Sequence, residues 1–462
     1  MLIGIDVGPA AVTATSIEGD EVRAAVRIPI DESLTGGVGT AVRLLVAEDP
    51  RARDVPAVAV STSRLEEAIV RAEGLASTGC VRLCVAARDS APPLAGWPAP
   101  LADAIGRHAY QCRGGHEFDG TLPDPLDPEE FAAIAAALAA DGIRTVAVTA
   151  AFSPVNSSAE FAAADLLRER LPGVLVSMSH EIGTIGLLER ENATILNAAL
   201  LPLAERLAAA IAGEVGAAAP RATVYLAQSD GTVMELSYGR RYPVLTLGAG
   251  STSALRGAAI LSGRADCLAV DIEPDAAELG LVRAGRPRQV IRTSTIGGVR
   301  TNLRGPETIR VPFAAGEPAL AHDDDEPSGS GGERVGTGPA SRVERAVATL
   351  DPYGTQPVVV VGVGHQDLPA RPGVIRPPWG EVARAVGTAG TRIGSAVDCI
   401  VAGQPMAHAR SLERAKLLAS QRAVMAGARR ETVRIAEIEE TPLAYLPGDF
   451  VHLRVKATGD IA

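Results

Sequence analysis

The chain has few aromatic residues and no excess of positive charge. Phenylalanine, tyrosine and tryptophan make up 3% of its 462 residues, and 44 lysines and arginines stand against 55 aspartates and glutamates. Single-stranded nucleic acids bind by stacking their bases on aromatic side chains, and nucleic acids in general favour basic surfaces. The net charge of −11 therefore predicts that the protein has no nucleic-acid partner.

Cysteine is also scarce, and its five copies are scattered through the chain. They are Cys80, Cys84, Cys112, Cys267 and Cys399. Cys80 and Cys84 have the spacing of one helical face, but no second pair of cysteines completes a zinc site. We expect free thiols, which are typical of the reducing cytosol.

No predicted helix is long and apolar enough to cross a membrane. The most apolar helical stretch, Phe131–Ala140, has ten residues between Glu130 and Asp141, whereas a bilayer requires about 20. The first residues, Met1–Asp6, lack the basic segment of a signal peptide and reach an acidic residue at once. We therefore expect a cytoplasmic protein without a membrane-spanning segment.

The chain begins with the pattern of a three-stranded meander. Leu2–Val7 alternates apolar residues and is followed by a turn at Gly8-Pro9. Two further apolar runs, Val12–Thr15 and Val22–Ile28, flank a second turn. Runs of this length bounded by turn residues predict antiparallel strands. The first strand ends with an acidic residue, Asp6, just before the sharp turn.

The same pattern returns later in the chain. Cys267–Ile272 is followed by a turn and by the runs Leu279–Val282 and Gln289–Thr293. Here Asp271 takes the place that Asp6 has in the first copy. The repetition favours two related domains, although two ordinary hairpins could share the pattern by coincidence.

Strands alternate with helices between the two copies. Asp127 predicts the start of a helix, Thr145–Ala150 a buried strand, and Ser157 with Glu160 a capping box that opens a helix to Arg170. Val174–Met178 then predicts another strand. This alternation is typical of the α/β class.

We expect a long helical tract, Gly186–Val215, to join two domains that span residues 1–185 and 186–462. Ala315–Ser341 is rich in glycine, proline, serine and acidic residues, which predicts a mobile loop. Its triplet Asp323–Asp325 has two interpretations, a cation site or a solvated loop, and the loop is the commoner case. The second domain is completed by the predicted strand Pro357–Val361 and by helices around Trp379–Val386 and Leu412–Ala428.

The densest polar motif runs from Ser179 to Gly183 and continues from Gly186 to Ala198. Burial of one amphipathic face does not require so many polar residues. A surface helix in which Arg190 pairs with its acidic neighbours is one interpretation. The other is a hydrogen-bonded cluster near the domain junction, for which we name His180, Glu181, Glu189, Arg190 and Asn192.

This motif resembles the A-type, ATP-binding subunit of the hydantoinase/oxoprolinase proteins, and the resemblance extends over nearly the whole chain. Further segments that resemble the family are Gly114–Gly120, Pro125–Asp127, Phe152–Asn156, Asp230–Met234, Ile296–Asn302 and Pro442–Gly448. The resemblance implies a two-domain, actin-like (ribonuclease H-like) ATPase fold with duplicated β-meander/α units around a central cleft. It also implies ATP and Mg²⁺ as cofactors.

Relatives use ATP to open a cyclic amide such as a hydantoin, 5-oxoproline or another lactam, through phosphorylation of the amide oxygen, and others carboxylate ketones. The implied partners are a B-type subunit or further copies of the chain.

By resemblance, Asp6, Asp271, His180 and Glu181 are the catalytic residues, and Asp6 and Asp271 hold the metal. The implied nucleotide contacts are Gly8, Gly297, Gly298, Gly362 and Gly364. The family signature residues are Glu189, Arg190, Glu191, Asn192, Asn197, Arg300 and Asn302.

Both phosphate-binding turns depart from the family pattern. In the family, Gly-Gly-Thr follows Asp-Val in the first turn and Asp-Ile in the second. This chain has Gly8-Pro9-Ala10 and Glu273-Pro274-Asp275 at these places. Proline lacks the N–H donor, and two unit charges about 4 Å apart repel by ~4 kcal/mol at an effective dielectric constant of about 20. Micromolar nucleotide binding is worth about 8 kcal/mol. These degenerate loops leave two hypotheses, a cyclic-amide hydrolase subunit with an impaired ATP site or a non-catalytic relative that binds a partner or another ligand.

Overall fold

A computed structural model describes residues 1–84, 91–121, 124–183, 185–290, 294–313, 339–364, 373–389, 392–444, 446 and 448–461. The strands in chain order are β1 (Leu2–Val7), β2 (Ala11–Glu18), β3 (Glu21–Pro29), β4 (Ala57–Thr62), β5 (Thr78–Leu83), β6 (His108–Cys112), β7 (Thr145–Ala150), β8 (Leu175–Met178), β9 (Thr223–Ala227), β10 (Val233–Glu235), β11 (Cys267–Ile272), β12 (Ala276–Arg283), β13 (Arg286–Pro287), β14 (Ser294–Ile296), β15 (Val299–Thr301), β16 (Thr308–Pro312), β17 (Val358–Val361), β18 (Val374–Ile375), β19 (Ile393–Ala402), β20 (Arg434–Pro442) and β21 (Phe450–Gly459).

The helices are α1 (Val38–Glu48), α2 (Arg64–Arg71), α3 (Ala99–Ile105), α4 (Pro128–Ala140), α5 (Ser158–Arg170), α6 (Ser179–Ile182), α7 (Leu187–Ala218), α8 (Leu236–Gly239), α9 (Ala249–Ser262), α10 (Pro339–Leu350), α11 (Ala383–Ala389) and α12 (Pro405–Met425). Short 3₁₀ helices cover Pro50–Asp54, Pro243–Thr246, Gly380–Val382 and Arg430–Thr432.

The largest sheet has nine strands in the order β20-β21-β19-β10-β9-β4-β1-β2-β3. At one end, β1, β2 and β3 form the predicted antiparallel meander, and β4 and β9 continue the sheet parallel to β1. All six residues of β4 and five of the six residues of β1 are buried. Mostly apolar residues suit such strands, because both of their faces are covered, and the polar exceptions Asp6, Ser61 and Thr62 lie near the strand ends.

A second sheet repeats this arrangement. β12 pairs antiparallel with β11 and β16, and β17 and β18 continue the sheet parallel to β11. β11 therefore corresponds to β1, and the registers agree, since Asp6 lies opposite Thr13 and Asp271 lies opposite Glu278. The predicted duplication of the strand–aspartate–hairpin unit is confirmed.

The sequence pattern predicts the wrong position for the third strand of the second copy. We expected it at Gln289–Thr293, but Gln289 forms only an isolated bridge with Pro306, and residues 291–293 lie outside the described part. β12 pairs instead with the two-residue strand β13 at its end and, over five residues, with β16, which follows the hairpin of β14 and β15. A local pattern cannot reveal that the chain makes this excursion before it returns to the sheet.

A third sheet, with four parallel strands in the order β6-β5-β7-β8, comes between the two copies in the chain. α4 begins as predicted, with the Asp127 carboxylate accepting a hydrogen bond from the Glu129 N–H. The capping box predicted for α5 is wrong. Ser157 makes no side-chain cap, and Glu160 is fully buried. The interior offers this carboxylate stronger, charge-assisted hydrogen bonds than the helix end does.

α7 runs without interruption through Pro202 and is the most apolar long helix of the described residues. Phe131–Ala140, which we expected to be the most apolar helical stretch, lies in the shorter helix α4 and is largely apolar, so α7 differs from it mainly in length. Two helical segments, Leu187–Ala218 and Pro243–Ser262, have the length and composition to cross a membrane, but 61% of the most apolar window of each is buried inside the protein. Their apolar character is therefore explained by the core.

The predicted loop Ala315–Ser341 ends too late, because α10 begins at Pro339. The rest of this segment, with Asp323–Asp325, lies outside the described residues. The division into residues 1–185 and 186–462 stays a prediction. The nine-stranded sheet takes strands from both segments, so the sheet and the chain segments do not coincide.

Two helices meet at very short range where the two sheets come together. A Cβ atom on Gly257 of α9 would overlap the Ala383 carbonyl of α11, and one on Gly387 of α11 would overlap the Ser253 carbonyl of α9. On its other side α11 approaches β1 so closely that a Cβ on Gly4 would overlap the Ala385 carbonyl. Glycine at these positions lets three backbones touch and fixes α11 between the two duplicated units.

We predict that Gly387→Ala lowers the free energy of unfolding by about 1–3 kcal/mol, because the added methyl group meets a backbone carbonyl that cannot rotate away. Gly213→Ala in α7 is the matched control, since a Cβ there meets nothing within 4 Å. It should be neutral or stabilising by up to about 1 kcal/mol. Urea denaturation checks both variants, and equal stability of the two would contradict the tight packing.

Candidate functional site

The two hairpins that follow β1 and β11 have the same backbone geometry. Gly8 N–H donates to the Ala11 carbonyl at 3.1 Å, and Glu273 N–H donates to the Ala276 carbonyl at 2.9 Å. Both hairpins border one cavity, and Asp6 and Asp271 both line it. The structure therefore brings the two aspartates together, as the duplicated pattern predicts, while their chemical roles stay predictions.

An arginine that the sequence analysis does not single out occupies the space beside these carboxylates. Arg384 is the second residue of α11, and its guanidinium donates to Asp271 Oδ2 from Nε at 2.8 Å and from Nη2 at 2.7 Å. Arg384 Nε also lies 3.3 Å from Glu273 Oε1. The Asp271 side chain is 1% exposed and that of Arg384 is 18% exposed. The protein thus supplies its own cation to the acidic centre of the cavity.

Two acidic groups of the cavity, Asp6 and Glu273, have raised pKa values despite this cation. Burial raises the pKa of Asp6, and Asp271 adds to the rise, while Arg384 and the hydrogen bond from Ser61 oppose it. Burial likewise raises the pKa of Glu273 to about 7, again against the pull of Arg384. For Arg384 burial acts to lower the pKa, but Asp271, Glu273 and Asp6 together hold it well above its usual value.

Hydroxyl groups connect Asp6 to α11. Ser61, at the end of β4, donates to Asp6 Oδ1 at 2.5 Å. Thr388 Oγ1 on α11 lies 3.2 Å from Ser61 Oγ and 3.0 Å from Ser253 Oγ on α9. These buried contacts join β4, α9 and α11, so the helix that carries Arg384 is held to both sides of the cavity.

The predicted nucleotide-binding glycines lie in different places. Gly8 and Gly362 line the cavity, and Gly362 has φ +89°, with Asp271 and the Ile272 carbonyl too close for any side chain. Gly364 does not line it, but its N–H donates to the Ile272 carbonyl at 3.0 Å. Gly297 and Gly298 are placed elsewhere.

Gly297 and Gly298 form the tight turn between β14 and β15, with φ +56° and +80°. A Cβ on Gly297 would meet Ile69, and one on Gly298 would meet Pro98. Neither residue lines the cavity of Asp6 and Asp271. In this structure they form the hairpin turn and its packing, and their predicted contact with phosphate stays a prediction.

The cavity around Asp6 and Asp271 is small in this arrangement. Its volume is about 30 Å³, whereas sites for small organic ligands enclose several hundred Å³. Asp271 Oδ1 is buried without a hydrogen-bond partner among the described residues, but Arg384 already takes the other oxygen. No group of three His, Cys, Asp or Glu side chains in the described part has the arrangement of metal ligands.

A second polar cluster surrounds Glu160 of α5, which the sequence analysis treats only as a helix cap. Its carboxylate accepts hydrogen bonds from the Ala150 N–H at 2.8 Å, from Ser179 Oγ at 2.5 Å and from the His180 N–H at 3.0 Å. His180 Nδ1 lies 2.6 Å from the same carboxylate. Burial acts to raise the pKa of Glu160, but His180, Arg190 and Ser179 outweigh it and hold the pKa low.

The predicted five-residue cluster is only partly formed. His180 and Arg190 share it, since Arg190 Nε donates to Ser179 Oγ at 2.9 Å. Glu181 instead pairs with Arg241 at 2.7 Å. Asn192 accepts from Trp97 Nε1 and donates to the Arg300 carbonyl. The Glu189 side chain makes no hydrogen bond or ion pair within the described part of the chain.

The remaining signature residues hold segments together. Glu191 accepts from Arg82 Nε at 2.6 Å and from Arg82 Nη2 at 2.5 Å, and both side chains are nearly fully buried. Asn197 donates to Ser177 Oγ and to the Arg241 carbonyl. Asn302 donates to the Ile185 carbonyl. These contacts support α6 and α7, and none of these residues lines the cavity of Asp6 and Asp271.

Two models of one protein family match the chain. The model of the hydantoinase/oxoprolinase N-terminal region matches residues 2–171, and the hydantoinase/oxoprolinase model matches residues 190–340. Together they span more than half of the chain. The chain belongs to the hydantoinase/oxoprolinase family. No curated protein sequence matches it.

Solved structures with the same fold include two enzymes described as ATP-dependent. A caprolactamase from Pseudomonas jessenii is 14% identical, with a TM-score of 0.74, and an acetone carboxylase in its nucleotide-free form is 12% identical, with a TM-score of 0.67. Each comparison covers 100% of this chain and 88% of the other. At such identities the likeness shows the fold alone, and it confirms the actin-like architecture of this hydantoinase/oxoprolinase family member.

Three residues of these polar clusters, Ser61, Glu160 and Arg384, are not apparent from the sequence. Ser61 lies in an ordinary apolar strand, and Glu160 is masked by its position at a helix start. Arg384 stands between small residues in the run Ala383–Ala389. A single arginine in a segment of small residues is an indication of a buried charge, but its acidic partners are distant in sequence, so the pattern alone does not reveal them.

We predict a specific pH dependence of stability from Glu273. Its pKa of about 7 in the folded protein exceeds the usual value of 4.5, so the folded state keeps a proton that the unfolded chain releases. Stability due to this group therefore falls as the pH rises from about 4.5 through 7. Glu273→Gln should be more stable than the unmodified protein at pH 8, by at least about 1 kcal/mol, and similar to it at pH 4.5.

Urea denaturation at pH 4.5, 6 and 8 checks this difference. The control is Glu48→Gln at the exposed end of α1, which should follow the unmodified protein at every pH. A Glu273→Gln variant that loses stability at pH 8 would mean that the ionised carboxylate is needed beside Arg384.

Proposed function

We propose that the chain is an A-type subunit of the hydantoinase/oxoprolinase class, which acts on cyclic amides with ATP, and that its own nucleotide cleft is impaired. The family membership and the shared fold with an ATP-dependent caprolactamase support the class. One observation carries the second part, the ion pair of Arg384 with Asp271 and Glu273 in a cavity of about 30 Å³.

The guanidinium takes the position in which a bound cation would compensate the two aspartates. A divalent metal and a polyphosphate would have to displace Arg384 from Asp271, and Glu273 would add negative charge beside the phosphate. Pro9 removes one backbone donor at the cavity. We infer that ATP·Mg binds in the millimolar range or more weakly, which is worth about −4 kcal/mol against about −8 for micromolar binding.

Two residues of the second phosphate-binding turn lie outside the cavity. Asp275, which the sequence analysis places against the phosphate, pairs with Arg310 at 2.9 Å and does not line the cavity. Pro274 is exposed and lies outside the lining as well. The obstacle to nucleotide is therefore assigned to Arg384, Glu273 and Pro9.

A non-catalytic, partner-binding subunit is the second candidate function. The same ion pair favours it, because an internal cation makes the closed arrangement independent of nucleotide. Cysteine usage and composition are compatible with a cytoplasmic location for either candidate, and neither candidate requires a nucleic acid or a membrane. Turnover of ATP in the presence of a candidate cyclic amide separates the two.

We predict that Arg384→Ala lowers the free energy of unfolding by about 3–5 kcal/mol, because buried carboxylates are left without their cation. Millimolar MgCl₂ should restore part of this loss and should have little effect on the unmodified protein. The control, Arg392→Ala, removes a half-exposed ion pair with Asp460 and should cost less than about 1 kcal/mol. Thermal and urea denaturation with and without MgCl₂ measure these changes. A loss no larger than that of the control would refute the role of Arg384.

Calorimetric titration with ATP·Mg tests the impaired cleft directly. The unmodified protein should show a Kd of about 1 mM or weaker. A variant with Glu273→Gly, Pro274→Gly and Asp275→Thr should gain affinity, and adding Arg384→Ala should tighten binding by at least about tenfold more. Micromolar binding by the unmodified protein, or no gain from the combined variant, would show that the cleft is not impaired in this way.

A further inference from the structure

A second, larger concavity lies beside the outer edge of the four-stranded sheet. It encloses about 950 Å³ and is bordered by β8, by α7 and by the residues that follow α8. None of its lining residues belongs to the cavity of Asp6 and Asp271. We call it the β8 groove. What we propose for it is independent of the proposed function.

The strand in the wall of the β8 groove has one unpaired edge. β8 is the last strand of its sheet and pairs with β7 alone among the described strands. Leu175 N–H donates to the Arg144 carbonyl on the β7 side. Because successive residues of a strand point their N–H and C=O groups to opposite edges, those of Val176 point away from β7 and toward the open side. Such an edge accepts an added strand.

The β8 groove is positively charged within an acidic protein. Its lining contains four arginines and two glutamates in a chain of net charge −11. Arg241 pairs with Glu181 at 2.7 Å, and Arg240 pairs with Glu205 at 2.5 Å, so these four charges cancel. The remaining two arginines are Arg168 and Arg206.

Arg206 is the lining arginine that no ion pair with the described residues compensates, while Arg168 is paired within its own helix. Arg168 contacts Asp165 of its own helix at 3.1 Å, with side-chain exposures of 46% and 75%. Arg206 is exposed and has no ion pair or hydrogen bond with the described residues. Arg168 lies on α5 and Arg206 on α7, so the two cations come to the edge strand from different helices. Each guanidinium can donate hydrogen bonds to a carboxylate of an incoming ligand.

Apolar residues also line the β8 groove. Leu175, at the start of β8, is 46% exposed. Leu201 and Pro202 of α7 and the buried ring of Tyr242 continue this surface. A ligand that fits it has to combine apolar groups with carboxylates and to offer backbone hydrogen bonds to β8.

We propose that the β8 groove binds an extended, acidic segment of a partner protein as an added strand. Its backbone pairs with the open edge at Val176, its apolar side chains cover Leu175 and Leu201, and its carboxylates pair with Arg206 and Arg168. Strand addition with alternate side chains in pockets is an established mode of peptide recognition. The four residues of β8 span about 13 Å, so a segment of about six residues suffices.

Calorimetric titration with an acetylated, amidated hexapeptide of alternating glutamate and valine tests this proposal. The unmodified protein should bind it, should bind the matching lysine–valine peptide at least about tenfold more weakly, and should lose affinity as salt rises. Arg206→Glu, an exposed substitution, should weaken binding by at least about tenfold, which corresponds to about 1.4 kcal/mol. Arg43→Glu on the exposed face of α1 is the control and should leave affinity unchanged.

Val176→Pro separates strand addition from simple charge attraction. It removes the outward N–H while keeping every arginine, and proline is tolerated on edge strands. Loss of peptide binding in Val176→Pro, with an unchanged circular dichroism spectrum, supports the proposal. Full binding by Val176→Pro, no binding by the unmodified protein, or displacement of the peptide by equimolar inorganic phosphate would overturn it, the last by showing a small-anion site.

Discussion

The close approach of α9, α11 and β1 is the constraint on which the rest of the structure depends. Glycine at positions 4, 257 and 387 lets these backbones touch, so α11 cannot tilt or shift without a clash. Because α11 carries both Arg384 and Thr388, this packing fixes the guanidinium at Asp271 and the hydroxyl at Ser61. The electrostatics of the cavity thus follow from backbone packing several residues away.

The duplicated units were predictable because their pattern is local. A buried strand, an aspartate and a tight turn lie within a few consecutive residues, and the same order of residue types recurs at Asp271. The nine-stranded sheet was not predictable in this way, since β19, β20 and β21 join strands that come hundreds of residues earlier. The misplaced third strand of the second copy has the same cause, because pairing with β16 depends on long-range geometry.

The candidate site was predicted in part for a related reason. Asp6, Asp271, Gly8 and Gly362 reach one cavity because each lies in the last two residues of a strand of the duplicated units or directly after one. Arg384 lies 113 residues from Asp271, in a segment without any motif, so its ion pair emerges only in the folded chain. Gly297 and Gly298 lie away from this cavity, in a tight turn against Ile69 and Pro98, because a glycine pair has the same sequence pattern in a turn as in a phosphate contact.

The internal cation has a thermodynamic consequence. A soluble metal or nucleotide stabilises a closed cleft only in proportion to its free concentration relative to its Kd. A guanidinium tethered by α11 is instead present at a fixed effective concentration, which neither dilution nor chelation changes. In the arrangement described, the positive charge beside Asp271 thus comes from the chain itself and requires no ligand from solution.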